Sequence, residues 1–292
     1  MLRRFRLEEP GSIKEASALL AQYGETANVY AGGTELLLAM KESLVQSEWL
    51  INIKGIPEID QVKLEDGVIR VGALATHRSL EENAILEKFL PAFVTMERNI
   101  ANVRIREVGT LGGNLCFAEP HSDPAPLLMV LGAKLLLEKS NSQREVPVEQ
   151  FFKDAFETSL EPAEILTEIR VPEPASFSSS CYLKFGYLER PSVGVALFLR
   201  LGKDKKSVAE IKIAVGSAGP RPGRVREAEE LIQGKTLDEA SNLIGQAGEI
   251  AGRVSEAVSD LHGAADYKEH LVRVLLNRAF RGVCRSSGPG KS

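Results

Sequence analysis

The sequence predicts an α+β protein: two α/β segments in series, then a smaller segment whose strands precede its helices. Three observations predict it. In residues 1–54, strand-length apolar runs alternate with helical periodicity around Gly32-Gly33. In residues 55–176, Glu65-Asp66-Gly67 sits between two apolar runs as a hairpin signal. Past Pro172-Glu173-Pro174-Ala175-Ser176 and the serines at 178–180, three strand-like runs come first and three helical periods follow.

The elements follow in order. Ser12 is placed to cap a helix over 10–23, with Ile13, Ala16, Leu19 and Leu20 at helical spacing. Residues 27–31 read as a short buried strand ended by Gly32-Gly33, 35–41 as a helix, and 50–53 as a strand stopped by Gly55 and Pro57. Residues 62–64 and 68–71 form the hairpin. Ser79-Leu80-Glu81-Glu82 has the Ser-x-x-Glu pattern of a capping box and is expected to open a helix. One longer helix is expected over 89–104, with Phe93, Met96, Ile100 and Val103 on its apolar face, running into a second glycine pair at Gly112-Gly113. Ser122-Asp123-Pro124 puts a polar cap and a proline at the start of a helix over 125–131. Residues 134–138 and 165–171 read as strands. The last part has strands at 181–185, 193–201 and 211–215, helices at 225–233, 238–254 and 266–280, and a small polar tail at 286–292 expected to be disordered. The expected division is residues 1–176, in subdomains 1–54 and 55–176, and then 177–285.

Composition excludes several classes. The chain has 292 residues, 43% hydrophobic and 26% charged, enough for a core without disulfide or metal staples. The net charge of −4, with no basic arm or stripe, argues against a nucleic-acid partner. No apolar run approaches the ~20 residues of a membrane span. Met1-Leu2-Arg3-Arg4-Phe5-Arg6 has no apolar segment behind it, so neither a signal peptide nor twin-arginine export is expected. Cys116, Cys181 and Cys284 are scattered, with no Cys-x-x-Cys, and the four histidines show no ligand spacing. The chain by itself is expected to build neither a zinc site nor an iron–sulfur cluster, and a reducing cytoplasm fits.

The chemistry points to the two glycine pairs, in Ala31-Gly32-Gly33-Thr34-Glu35 and Thr110-Leu111-Gly112-Gly113-Asn114-Leu115. Both are expected as chain reversals. Residues without Cβ accept positive φ and let backbone N–H groups approach a bulky anion. Either pair alone is an ordinary turn; two brought together would suit the two phosphates of a dinucleotide, with Thr34 adding a hydroxyl and Asn114 able to donate and accept.

These two motifs have company. Ser122-Asp123-Pro124 with Leu131-Gly132-Ala133, Glu164-Ile165-Leu166, Tyr182-Leu183-Lys184-Phe185, Gly216-Ser217-Ala218-Gly219-Pro220 and Leu275-Leu276-Asn277-Arg278-Ala279 follow in order. Over its whole length the chain resembles the FAD-binding medium subunit of molybdenum hydroxylases, the xanthine dehydrogenase and carbon monoxide dehydrogenase family. The resemblance implies the FAD-binding fold of the vanillyl-alcohol oxidase type, noncovalent FAD between residues 1–54 and 55–176, and a smaller C-terminal α+β domain with a three-stranded sheet. It implies a cofactor-binding set of Asn28, Val29, Tyr30, Ala31, Gly32, Gly33, Thr34, Glu35, Thr110, Leu111, Gly112, Gly113, Asn114, Asp123, Leu166 and Lys184, and no catalytic residue or metal ligand. Asp123 matches a cofactor-contacting aspartate and also reads as a plain helix cap. Leu166 matches an apolar position packing on the cofactor and also reads as core. Lys184 matches a lysine that reaches the isoalloxazine side and also reads as an exposed strand lysine. The partners implied are a large molybdopterin subunit and a small subunit with two [2Fe–2S] clusters, in a heterotrimer or its dimer. FAD would pass electrons from those clusters to an acceptor such as NAD, quinone or oxygen. One departure stands out: some members carry a tyrosine at the flavin where this chain reads Glu189-Arg190-Pro191-Ser192-Val193-Gly194, and Tyr187 is out of register.

Two other readings compete: a self-sufficient FAD-dependent oxidoreductase acting on a small substrate, and an assembly module without FAD. The first needs a substrate-facing acid or base that the sequence does not name, and the intact glycine pairs oppose the second. The glycine-rich run at 216–223 mimics a phosphate loop, but its prolines remove donors. His121 and Asp123 have no accompanying nucleophilic serine motif. His77 is read as the start of a capped helix rather than a covalent flavin link.

Overall fold

The computed structural model describes residues 2–186 and 190–287. Its first sheet is parallel: β1 (Arg6–Glu8), β2 (Ala27–Tyr30) and β3 (Trp49–Asn52) run in the order β1-β3-β2. The central β3 buries Leu50 and Ile51. Helix α1 (Ile13–Tyr23) starts where Ser12 Oγ accepts the Glu15 amide at 3.2 Å. Tyr23 at its end stacks on Trp49 with ring centroids 4.0 Å apart. Helix α2 (Leu36–Lys41) follows the first glycine pair.

The second sheet is antiparallel, with strands β4 (Val62–Glu65), β5 (Val68–Gly72), β6 (Lys134–Lys139), β7 (Ser142–Pro147) and β10 (Ile165–Pro172) in the order β4-β5-β10-β6-β7. Asp66 and Gly67 take φ of 51° and 72°, the conformation a tight two-residue hairpin demands. A small ribbon, β8 (Phe152–Asp154) with β9 (Glu157–Thr158), lies beside it. Helices α3 (His77–Glu81), α4 (Ala84–Phe89), α5 (Pro91–Glu97), α7 (Leu111–Phe117), α8 (Pro124–Val130) and α9 (Val148–Phe151) pack with it around Ile69, Val71, Phe93, Leu135, Leu137 and Ile169, while α6 (Val103–Val108) lies against α3 and buries none of its residues.

The third sheet has strands β11 (Ser178–Phe185), β12 (Val193–Leu201) and β13 (Val208–Gly216), plus a short fourth, β14 (Gly223–Arg224), inside the glycine-rich run. Along β12, Val195, Leu197 and Leu199 belong to the core under α10 (Arg226–Ile232), α11 (Leu237–Val254) and α12 (Ala265–Ser287), while Ala196 and Phe198 join the core of the preceding sheet. Apolar residues on both faces make this strand a shared wall between two cores.

Several sequence expectations need correction. The helix over 89–104 is two helices: α5 ends at Glu97, and a new helix, α6, starts at Val103 with Asn102 as its cap. The helix near Ser79 is capped by Thr76, whose Oγ1 accepts the Ser79 amide at 3.1 Å, so Ser79 is an interior residue. The second glycine pair is no reversal: Gly112 and Gly113 form the first turn of α7. Ser286 and Ser287 end α12 rather than begin a disordered tail; 288–292 lie outside the described residues, as do Tyr187 and Glu189 of the departing segment.

Candidate functional site

Both glycine motifs border one cleft of about 370 Å³, within the range of small-molecule sites. The first reaches it on the loop from β2 to α2, the second on α7. Chain crossing at van der Waals distance explains the glycines. A Cβ on Gly32 would overlap the Val108 carbonyl oxygen and lie 2.9 Å from Gly109 Cα. On Gly112 it would lie 2.6 Å from Ala73 Cβ. Gly33 has φ +73°, and its Cβ would run into the Tyr30 ring. The glycines therefore serve close backbone packing first; a side chain there would strike protein before it reached the cleft.

The two motifs differ in what they offer an anion. In the second, Leu111 N–H donates to Ala75 O at 3.0 Å, Gly112 N–H to Ala73 O at 2.9 Å and Asn114 N–H to Thr110 O at 2.9 Å. Gly113 N–H donates to Thr110 Oγ1 at 3.1 Å. These four amides are engaged within the protein, contrary to the expectation that both pairs present open donors. In the first motif, no acceptor among the described residues takes the amides of Gly32, Gly33, Thr34 or Glu35. Half-buried backbone donors without partners along a cleft are what an oxyanion requires. On this observation the residues present fit a dinucleotide phosphate.

Of the residues expected at the site, Asn28, Val29, Ala31, Gly32, Gly33, Thr34, Glu35, Thr110, Gly112, Gly113, Asn114 and Leu166 line the cleft. Tyr30, Leu111, Asp123 and Lys184 do not. Tyr30 turns under the loop, where Lys54 Nζ lies 4.2 Å from its ring centroid, and Leu111 is core. Leu166 and Ile165 line the wall where β10 passes from the core of the first sheet to that of the second. Asn114 Oδ1 accepts from Ser122 Oγ at 2.5 Å.

Asp123 precedes α8 but makes no capping bond. Its carboxylate accepts from Tyr182 Oη at 2.7 Å and from Lys184 Nζ at 2.8 Å. Lys184 also donates to Asn99 O at 2.8 Å, so it braces the chain just before Ile100 and Ala101, which line the cleft. Neither the plain-cap nor the exposed-lysine reading holds: the side chains of Lys184 and Asp123 are 11% and 6% exposed. Burial pushes the Asp123 carboxyl above its usual range, against the opposing pull of Lys184 and the Tyr182 hydroxyl. Burial and then Asp123 push the Tyr182 phenol well up.

Other residues at the cleft escaped the sequence reading. Ile53, Ala73, Leu74, Ile100, Ile105 and Cys116 supply apolar wall, indistinguishable in sequence from core positions. Glu164 lines one end, held by the guanidinium of Arg144 through bonds of 2.6 and 2.7 Å. His77, read only as a helix start, also lines the cleft, with Nδ1 2.7 Å from the fully buried Glu97. The glycine-rich run at 216–223 packs on Pro126 and Glu256, and none of its residues borders the cleft.

Comparison with known proteins agrees with this geometry. Residues 3–174 match the family described as the FAD binding domain in molybdopterin dehydrogenase, and residues 190–283 the CO dehydrogenase flavoprotein C-terminal domain. The chain is 32% identical to the carbon monoxide dehydrogenase medium chain of Hydrogenophaga pseudoflava, over 96% of this chain and 97% of that one. It is 28% identical to the xanthine dehydrogenase FAD-binding subunit of Escherichia coli, over 95% of each. A solved carbon monoxide dehydrogenase of Hydrogenophaga pseudoflava superposes with a TM-score of 0.93 at 31% identity, covering 98% of this chain and 99% of that one. Quinoline 2-oxidoreductase from Pseudomonas putida 86 gives 0.90 at 25% identity, covering 98% and 99%. Free amides on a cleft between two sheets, together with these full-length likenesses, place the chain in the family of FAD-binding medium subunits of molybdenum hydroxylases, an oxidoreductase component with an FAD-binding domain.

Proposed function

We propose that this chain holds FAD noncovalently in the cleft and relays electrons through it, from [2Fe–2S] clusters of a small partner subunit to an external acceptor. The observation that carries this is the set of unpartnered amides at 32–35 facing the second glycine motif across one cleft. Those amides and the Thr34 hydroxyl would hold the pyrophosphate; Thr110 and Asn114 would contribute side chains from α7. Leu166, Ile100 and Ile105 would exclude water from the cofactor's flank. Lys184 and Asp123 would act from behind the wall, fixing the backbone at 99–101. Bound FAD supplies a site that accepts and releases electrons. The chain itself presents no cysteine cluster, and the described residues include no group of three or more histidine, cysteine or acidic side chains suited to a metal ion.

Residues 1–176 would form the cofactor-binding part and 177–285 the C-terminal part. A large molybdopterin subunit would carry out the substrate chemistry, in a heterotrimer or its dimer in the cytoplasm, with NAD, quinone or oxygen as acceptor. No helix among the described residues is long and apolar enough to cross a membrane. The test is a visible spectrum of the chain purified with its genomic neighbours. Flavin together with iron–sulfur absorbance in a three-chain complex is expected. Flavin alone, bleached by a substrate added to the isolated chain, would instead establish a self-sufficient oxidoreductase, and no chromophore would remove the FAD assignment.

A further inference from the structure

His77 is 3% exposed, and its ring makes one hydrogen bond, from Nδ1 to Glu97 Oε2. Nε2 has no partner among the described residues, and the residue borders the cleft. Glu97 is 0% exposed, and its second oxygen, Oε1, has no partner either. A buried carboxylate with a single partner is a costly arrangement unless that partner neutralises it.

The neighbouring cations are taken. On α3 itself, Arg78 is engaged by Glu81, and by Glu82 at 2.6 Å. From α6, Arg106 lies 3.0 Å from Glu81, and Glu107 3.5 Å from Arg78. Before α8, Asp123 is taken by Lys184 and Tyr182 of β11. Glu35 of the first glycine motif is reached by Arg190 at 3.4 Å, and Glu164 by Arg144 at 2.6 Å. Among the described residues, Glu97 is left with His77 alone. Burial pushes its carboxyl up, His77 opposes this, and Asp123 and Glu81 add to the rise.

We propose that Glu97 and His77 share one proton behind the cleft, so that His77 Nε2 carries a hydrogen and donates it to a pyrophosphate oxygen of the bound dinucleotide. This rests on the FAD reading above and assigns a donor to it. The proton count is simple. With the shared proton on Nδ1, the pair is carboxylate and imidazolium; with it on Glu97, it is carboxylic acid and neutral imidazole. In both forms the pair is neutral and Nε2 bears hydrogen. Losing that proton leaves a buried net negative charge and turns Nε2 into an acceptor facing an anion.

Position selects the phosphate. A Cβ on Gly109 would lie 3.3 Å from His77 Cδ2, the carbon bonded to Nε2, and 3.6 Å from the Thr34 methyl. Gly109 thus sits between the Cδ2 edge of the ring and Thr34 of the first glycine motif, and His77 and Thr34 line the same cleft. His77 N–H donates to Gly109 O at 3.0 Å, which fixes the residue beside Gly109.

The test is FAD titration of the flavin-depleted complex, followed by flavin fluorescence. His77→Leu should bind roughly tenfold more weakly than the parent, the scale of one charge-assisted hydrogen bond. Glu97→Gln can donate to Nδ1 and keep hydrogen on Nε2, so its affinity should match the parent's. A Glu97→Gln complex that binds as weakly as His77→Leu would overturn the proposal, and so would parental affinity in His77→Leu. So would parental affinity with a displaced flavin midpoint potential, which would put the donor on the flavin ring. Failure of the parent complex itself to take up FAD would instead remove the cofactor reading beneath both.

Discussion

Replacing Asp123 with Asn tests whether a buried ion pair holds the C-terminal sheet to the cleft wall. The side chain keeps its shape, and its carbonyl can still accept from Tyr182. Its amide, however, would face the Lys184 ammonium as donor against donor. Lys184 would keep only Asn99 O, at 2.8 Å, with its side chain 11% exposed. Breaking a buried pair from one side costs about 3–5 kcal/mol, mostly from the charge left behind. For a chain of this size that corresponds to a melting temperature lower by about 5–8 °C. The assay is thermal unfolding of the purified full-length chain by circular dichroism. The double variant Asp123→Asn/Lys184→Met removes the stranded charge and should recover most of the loss. A single variant melting with the parent, or a double variant no better than the single, would refute the reasoning.

The remaining predictions concern the loops around the cleft. Gly32→Ala should destabilise the chain by at least about 1–3 kcal/mol and reduce its flavin content, because the new Cβ overlaps the Val108 carbonyl and pushes the two glycine motifs apart; unchanged melting and flavin-to-protein ratio would contradict the close approach. Arg144→Ala should cost about 1–3 kcal/mol near neutrality. The hydrogen bond from Arg144 holds the Glu164 carboxyl below its usual range. That stability is therefore present above the ordinary carboxylate pKa and disappears as pH falls through the lowered value. Urea unfolding at several pH values should show the gap between variant and parent closing in acid, and a gap that widens there would reverse the assignment.

Much of the fold was legible because the signals are local. Ser12 caps α1 through a bond three residues away, and Asp66-Gly67 turns the hairpin by its own φ preference. Where the reading failed, a local signal had a competitor next to it. Thr76 displaced Ser79 as the cap three residues upstream. Asn102, with bonds to the amides of Arg104 and Ile105, started a new helix where apolar spacing alone continued the old one. The small strands β1, β7 and β14 lack the apolar alternation that marks a strand, since their partners rather than their own side chains define them.

The site divides the same way. The sequence by itself determined that two glycine pairs exist, that no Cys-x-x-Cys or His-x-x-x-His spacing occurs, and that the chain resembles a flavin subunit. Tertiary structure decided which of the two pairs keeps its amides free. For Leu111 and Gly112 that outcome depends on the backbone carbonyls of Ala75 and Ala73, which approach the second motif from a distant loop, while Thr110 takes the amides of Gly113 and Asn114 locally. It also decided that Asp123 bonds Lys184 rather than capping α8, and that Glu97 stands behind His77. Hydrogen-bond occupancy belongs to pairs of groups, and here the partners lie 20 to 61 positions apart, beyond the reach of any local pattern.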